Sequence, residues 1–266
     1  MNKEKLKGFL HFAPVNTLWQ WAKVVYIYGH KSVTAAKAAI FFIVWNGRIR
    51  KKLDRMLPKG TENIRPFRPL RWKHKVCYFT GVTSGRKVFI KTGGKVNTTD
   101  REVFALTYAA EHSKLLKKHI PIVVSATPEY LMEEMIDGKP LFPDESFVRQ
   151  LHMIYRELKR CEIRHLDIRP DNFIVKQDGT LILIDFGYAL VNTTDIYDRI
   201  EHSKTSSSII ERVGSNYSPR NGTVDDAYSM LLTMKYVCPF LLKKYPDIWR
   251  ELNLDIGKRA IYLEQL

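Results

Sequence analysis

Cysteine is scarce in this 266-residue sequence, and its three copies, Cys77, Cys161 and Cys238, lie far apart with no CxxC spacing. An odd, scattered set excludes a disulfide framework and a cysteine-based zinc site, and it suits a reducing compartment. Extended apolar runs are missing too. The uncharged stretch Ala38 to Gly47 is ten residues long, short of the ~20 that a membrane-spanning helix needs. Lys3, Lys5 and Lys7 lead into no clean apolar run ending in small residues, so no secretory signal is read. Acidic residues are nearly absent at the start: residues 1 to 75 hold 17 Lys and Arg against 3 Asp and Glu. Glycine is absent from Arg65 to Lys75.

What is present describes a folded protein, since 45% hydrophobic and 12% aromatic residues exclude disorder and low-complexity architecture for the whole. The formal charge is +15, of which residues 1 to 75 carry +14 (17 minus 3), leaving +1 for the rest. A basic extension on a near-neutral body argues against nucleic acid as the partner. In the extension Trp19, Trp21, Tyr28, Phe41 and Trp45 alternate with Lys23, Lys31 and Lys37, followed by Arg48, Arg50, Lys51, Lys52 and Arg55. That mixture suits an anionic membrane surface, met through residues 1–57 from the cytoplasmic side. Packing of the apolar residues on the body, with the cations solvated, is the alternative.

Pro58, Gly60, Pro66 and Pro69 mark residues 58–70 as a linker, so residues 1–70 read as extension and linker and 71–266 as the main domain. Val76 to Val82 and Lys87 to Lys91 are β-rich runs around Thr83, Ser84, Gly85 and Arg86, which predicts a hairpin. Thr99 to Lys118 reads as a helix, with a capping-box pattern of Thr99 and Glu102. Ile122 to Val124 and Tyr130 to Met132 read as short strands. Phe147, Leu151, Ile154, Tyr155 and Leu158 recur at helical spacing. Phe173 to Val175 and Leu181 to Ile184 follow, joined by a turn at Asp178 and Gly179.

The sharpest signal is the run His165-Leu166-Asp167-Ile168-Arg169-Pro170-Asp171-Asn172, followed after one short hairpin by Asp185-Phe186-Gly187. The hairpin can bring the oxygens of Asp167, Asn172 and Asp185 to one mouth, and such hard donors suit Mg²⁺ together with substrate phosphates. These residues resemble the H-x-D-x-x-x-x-N catalytic loop and D-F-G motif of the protein-kinase-like superfamily. Val88-Phe89-Ile90-Lys91 is similar to its V-A-I-K strand, Tyr130 to Met135 with Asp137 and Gly138 to its hinge, and Asp226-Ala227-Tyr228-Ser229 to the opening of a buried helix whose aspartate braces the catalytic loop.

The resemblance implies an α+β, two-lobed fold: an N-lobe of small antiparallel sheet and one helix over about 71–135, and a mostly helical, truncated C-lobe over about 136–266. It implies an ATP- and Mg²⁺-dependent kinase. Asp167 orients the acceptor hydroxyl, Arg169 neutralises γ-phosphate charge, and Lys91 holds the nucleotide phosphates. Asn172 and Asp185 hold Mg²⁺, and the backbone of Glu133 and Met135 meets the adenine. Glu102 or Glu111 pairs with Lys91, with Glu102 preferred because Arg101 to Leu106 resembles the usual helix opening.

The sequence departs from the family in four places. With no glycine-rich loop, phosphate cover falls to the Val76–Lys91 hairpin through Thr80, Gly81 and Thr83, or the chain is a pseudokinase binding module. Leu166 replaces the arginine that reads activation-segment phosphorylation, so that control is not expected, although Thr205, Ser206, Ser207, Ser208 and Tyr217 offer hydroxyls. Gly214 to Arg220 resembles a shortened segment end, with Arg220 where the family has glutamate. Only 26 residues follow Phe240, so the late peptide-docking helices are expected to be mostly missing. The acceptor expected is therefore a membrane-proximal glycolipid or glycan sugar such as lipopolysaccharide core, with a serine/threonine protein kinase as the alternative that Arg169 supports.

Overall fold

The computed structural model describes residues 49–67, 76–92, 98–191, 223–258 and 261–262. The aromatic extension up to Gly47, the hydroxyls at 205–208, Tyr217 and the Gly214–Arg220 motif lie outside the described residues. The chain divides into two compact units. Of the first, the described part is helix α1 (Arg50–Met56), which buries Leu53 while Arg50, Lys51, Lys52 and Arg55 are exposed.

The second unit opens with strand β1 (Thr61–Pro66), inside the segment expected to be linker. It pairs antiparallel with β2 (Cys77–Thr83), matching Thr61 to Thr83 and Pro66 to Phe79 across an irregular register between Glu62 and Arg65. The prolines misled because Pro58 precedes the strand and Pro66 ends it, on a sheet edge where a missing N–H breaks no inner ladder. β2 turns into β3 (Arg86–Thr92) through Ser84 and Gly85, at φ 49° and 76°. A two-residue turn with both central residues at positive φ is the one that follows the twist of a hairpin.

Helix α2 (Thr98–His112) and the short α3 (Leu116–His119) replace the single helix expected over 99–118. The break falls at Ser113, whose hydroxyl accepts from the Leu116 amide and donates to Glu157. A hydroxyl that satisfies a free amide starts a new helix more readily than it continues an old one. Strands β4 (Val123–Thr127) and β5 (Tyr130–Glu134) complete a five-stranded antiparallel sheet in the order β1-β2-β3-β5-β4. Period-two alternation puts Phe79, Val88, Ile90 and Met132, all fully buried, on one face. The opposite face carries Tyr78, Thr80, Phe89, Lys91, Leu131 and Glu133.

After β6 (Gly138–Pro140) the chain becomes mainly helical. Helix α4 (Val148–Arg160) buries Val148, Leu151, Ile154, Tyr155 and Leu158, the stripe expected from the spacing. Next come β7 (Ile163–Arg164), β8 (Phe173–Lys176), β9 (Leu181–Leu183) and β10 (Leu190–Val191), with β8 and β9 forming the expected second hairpin. After the short strand β11 (Thr223–Val224), helix α5 (Asp226–Val237) is buried along most of its length, as Ala227, Met230, Leu231, Met234 and Val237 show. Two helices follow it, α6 (Leu241–Lys244) and α7 (Pro246–Asp255). Asp255 accepts from the Tyr155 hydroxyl and from Lys159, which ties α7 to α4. Among the described residues no helix is long and apolar enough to cross a membrane.

Candidate functional site

Lys91 stands near the end of β3 with 14% of its side chain exposed, and its Nζ lies 2.5 Å from Glu102 Oε1 and 3.6 Å from Asp185 Oδ1. Burial alone would discharge the lysine, but the Glu102 and Asp185 carboxylates outweigh it and hold the ammonium well above its usual pKa. Glu102, not Glu111, makes the contact. Its Oε1 also accepts from the Phe186 amide at 3.2 Å, so the carboxylate of the expected capping box turns instead to β3 and to the segment after β9. Asp185 keeps 45% of its side chain open and has its backbone in the left-handed region, at φ 67°.

The loop from His165 to Asn172 hangs on α5. Asp226 accepts from the His165 amide at 2.6 Å and the Leu166 amide at 2.9 Å. Those two bonds hold Leu166 at φ 62°, a conformation that costs a residue with a Cβ roughly 1–2 kcal/mol. His165 Nδ1 accepts from the Asp167 amide, which leaves Nε2 to donate to the Ile184 carbonyl, and Phe186 packs edge-on against the ring at 4.6 Å. Burial pushes this imidazole down to about 4, so it is neutral.

Asp167 sits at the centre of the loop. Asn172 Nδ2 donates to its backbone oxygen at 2.7 Å and to Oδ2 at 2.8 Å, and Arg169 Nη2 reaches Oδ2 at 3.2 Å. Oδ1 is buried without a partner. Burial outweighs the pull of Arg169 and Asn172 and lifts this carboxyl to about 6. Ile184 donates its amide to the Asn172 carbonyl at 2.9 Å, fastening the Asp185 segment to the loop. One cation, two acids on separate elements and a braced H-x-D loop thus meet at one edge of the sheet. The arrangement resembles that of the protein-kinase-like fold.

No protein-family model matches the chain. It is 30% identical over 102 residues to the death-associated protein kinase dapk-1 of Caenorhabditis elegans, a match taking in 33% of this chain and 7% of that protein. It is 35% identical over 46 residues to an Aurora kinase of Encephalitozoon cuniculi, 17% of each chain. The chain therefore spans less than a fifth of either relative. Among solved structures, the BubR1 kinase domain aligns with a TM-score of 0.46 at 16% identity, over 78% of this chain and 74% of that one.

Within the kinase-like frame, two expectations shift. The Met135 amide donates to the Lys87 carbonyl at 2.9 Å, and Glu133, two residues earlier on an extended strand, directs its backbone to the same side. Both backbones named for adenine therefore belong to the ladder with β3. β5 runs to Glu134, two residues beyond the Tyr130–Met132 strand expected from the sequence. The tip of the β2–β3 hairpin, expected to cover phosphates, pairs Thr83 with Arg86. It lies five residues along from the Tyr78–Lys91 pair, roughly 17 Å at ~3.4 Å per residue. Gly81 faces away, towards Ile64 and Ile90. Beside Lys91, the described part of the β1 side ends where the Phe67 amide donates to the Tyr78 carbonyl.

Three side chains at the site escaped the sequence reading. Tyr78 stands directly across from Lys91, Glu133 across from Phe89, and Tyr188 directly after the D-F-G motif. Burial, with Asp185 and Asp167 adding to it, pushes the Tyr188 hydroxyl up to about 12. Strand register was the available signal for Tyr78 and Glu133, since both share a face with Lys91.

For a divalent cation the donor set fits. Asp185 is a half-open carboxylate. Asn172 gives its amide nitrogen to Asp167, which leaves its carbonyl oxygen for a ligand. Among the described residues no group of three or more His, Cys, Asp or Glu is arranged for a metal, so a cation here relies on phosphate and water for its remaining ligands.

Proposed function

We propose that this cleft binds ATP with Mg²⁺ and transfers the γ-phosphoryl group to a hydroxyl acceptor. The observation that carries the reading is the buried Lys91–Glu102 ion pair with Asp185 in reach of the same ammonium, since in protein kinases that pair and the D-F-G aspartate must both be in place. Lys91 holds the nucleotide phosphates. Asp167 orients the attacking hydroxyl and takes its proton, for which the unpartnered Oδ1 is the free acceptor. Arg169, already paired to Asp167, places a fixed cation beside the transferred group. Asn172 and Asp185 hold Mg²⁺, which when bound neutralises phosphate charge. The adenine meets the backbone one residue on from the positions read in the sequence, at the carbonyl of Glu134, whose amide already donates to the Ile122 carbonyl, and at Ile136.

The acceptor assigned is a serine or threonine hydroxyl, supported by Arg169 at the place of the serine/threonine-kinase lysine and by relatives named as a death-associated protein kinase and an Aurora kinase. A membrane-proximal saccharide, lipopolysaccharide core included, is the second acceptor class. The exposed cations of α1 favour it, as part of a basic extension that meets anionic lipid on the cytoplasmic face. A silent nucleotide-binding module is the reading favoured by the glycine-free β1–β2 connection. Phosphate transfer from labelled ATP to panels of proteins and of glycolipids, measured for the full chain and for Asp167→Asn, decides among these. Transfer falling by about 10²–10⁴ in the variant is expected for loss of a general base. Equal transfer by both proteins removes the assignment.

A further inference from the structure

Glu133 lies on the sheet face that carries Lys91, directly across from Phe89, and is 5% exposed. Its Oε1 is buried and has no hydrogen-bond partner. Lys91, the cation that acts on it, is already shared between Glu102 and Asp185. Buried polar atoms in folded proteins are paired almost without exception, and an unpaired one is costly unless a partner arrives from outside. The surroundings say what kind of partner. Phe89 stacks on Tyr78 at 5.7 Å and 17°, with Phe67 edge-on at 5.5 Å, so the neighbouring surface is an aromatic platform that suits a flat ring.

Resting on the nucleotide-binding reading above, we propose that the Glu133 side chain reads the amino edge of the adenine base and selects adenine over guanine nucleotides. Burial lifts this carboxyl to about 8, Glu102 and Asp185 adding to the rise against Lys91, so at neutral pH it is a neutral acid with one donor and one acceptor. Adenine offers the complement, an amino donor beside the N7 acceptor, whereas guanine presents two acceptors on that edge. One partner of the pair is then lost with guanine, and a bidentate contact of this kind discriminates by roughly tenfold to a hundredfold.

The test is calorimetric titration of the full chain with Mg²⁺ and either ADP, GDP or purine riboside diphosphate, which lacks the amino group. Expected are binding of ADP at least ten times tighter than either analogue, loss of that preference to within about threefold in Glu133→Leu, and its retention in Glu133→Gln, whose amide keeps a donor and an acceptor. Should Glu133→Leu fail to fold, Glu133→Met, an unbranched apolar side chain of similar length, takes its place in the same comparison of ADP with purine riboside diphosphate. Equal affinity for those two, or an unchanged preference in a folded Glu133→Leu, overturns the role of Glu133 and leaves the phosphotransferase reading standing. Absence of any nucleotide binding overturns both.

Discussion

At the residue scale, Asp167 carries the most consequence, because its two oxygens live differently. Oδ2 is held by Asn172 and Arg169, while Oδ1 is buried and unpartnered. Burial raises the carboxyl to about 6, and only the ionised form can take a proton. Transfer should therefore be full above that value and fall as pH drops through about 6, with the acid limb reporting the free protein in kcat/KM. A pH series at saturating Mg²⁺ checks it; a rate flat from pH 5 to 8 rules out Asp167 as the base. His165 is no rival for the role, since both its ring nitrogens are taken up by the Asp167 amide and the Ile184 carbonyl.

At the scale of elements, α5 acts on the His165–Asn172 loop through one side chain. Asp226 uses both oxygens on the His165 and Leu166 amides, and an asparagine there keeps only one acceptor. Asp226→Asn should lower stability by about 1–3 kcal/mol, the cost of one buried amide left unpaired. A urea midpoint measures that, and a midpoint equal to wild type would show that Leu166 keeps its backbone without this brace. Elements also explain what was legible beforehand. The β2–β3 hairpin could be read because two β-rich runs, Val76 to Val82 and Lys87 to Lys91, flank a turn at Ser84 and Gly85. The Asp167, Asn172 and Asp185 loops could be read because their order along the chain is short-range. The hinge backbone was not legible because Leu131, Met132, Glu133 and Glu134 give no alternation, and only pairing with β3 decides which of them share a face with Lys91. Strand β1 was missed for a composition reason: Pro58, Gly60 and Pro66 are the residues of a linker, yet all three stand at or beyond the ends of the strand.

At the scale of the whole molecule, charge and architecture divide the chain at different places. Nearly all the excess charge lies before residue 76, but the sheet begins at Thr61. If the cations up to Arg55 bind an anionic surface, full-length protein should co-sediment with phosphatidylserine vesicles and release as salt rises. Replacing Arg50, Lys51, Lys52 and Arg55 by glutamate should weaken retention by roughly 1 kcal/mol for each cation lost. Equal retention by both proteins would confine those residues to a structural role.

The position of β1 has a practical corollary for anyone trimming the protein. A start at Arg71, which composition invites, strips away the outermost strand and leaves Cys77–Thr83 with a row of bare amides and carbonyls, a ready template for sticking to other chains. Tyr78, which faces Lys91 across the ladder, would then sit on a raw margin. The scissors belong ahead of Pro58.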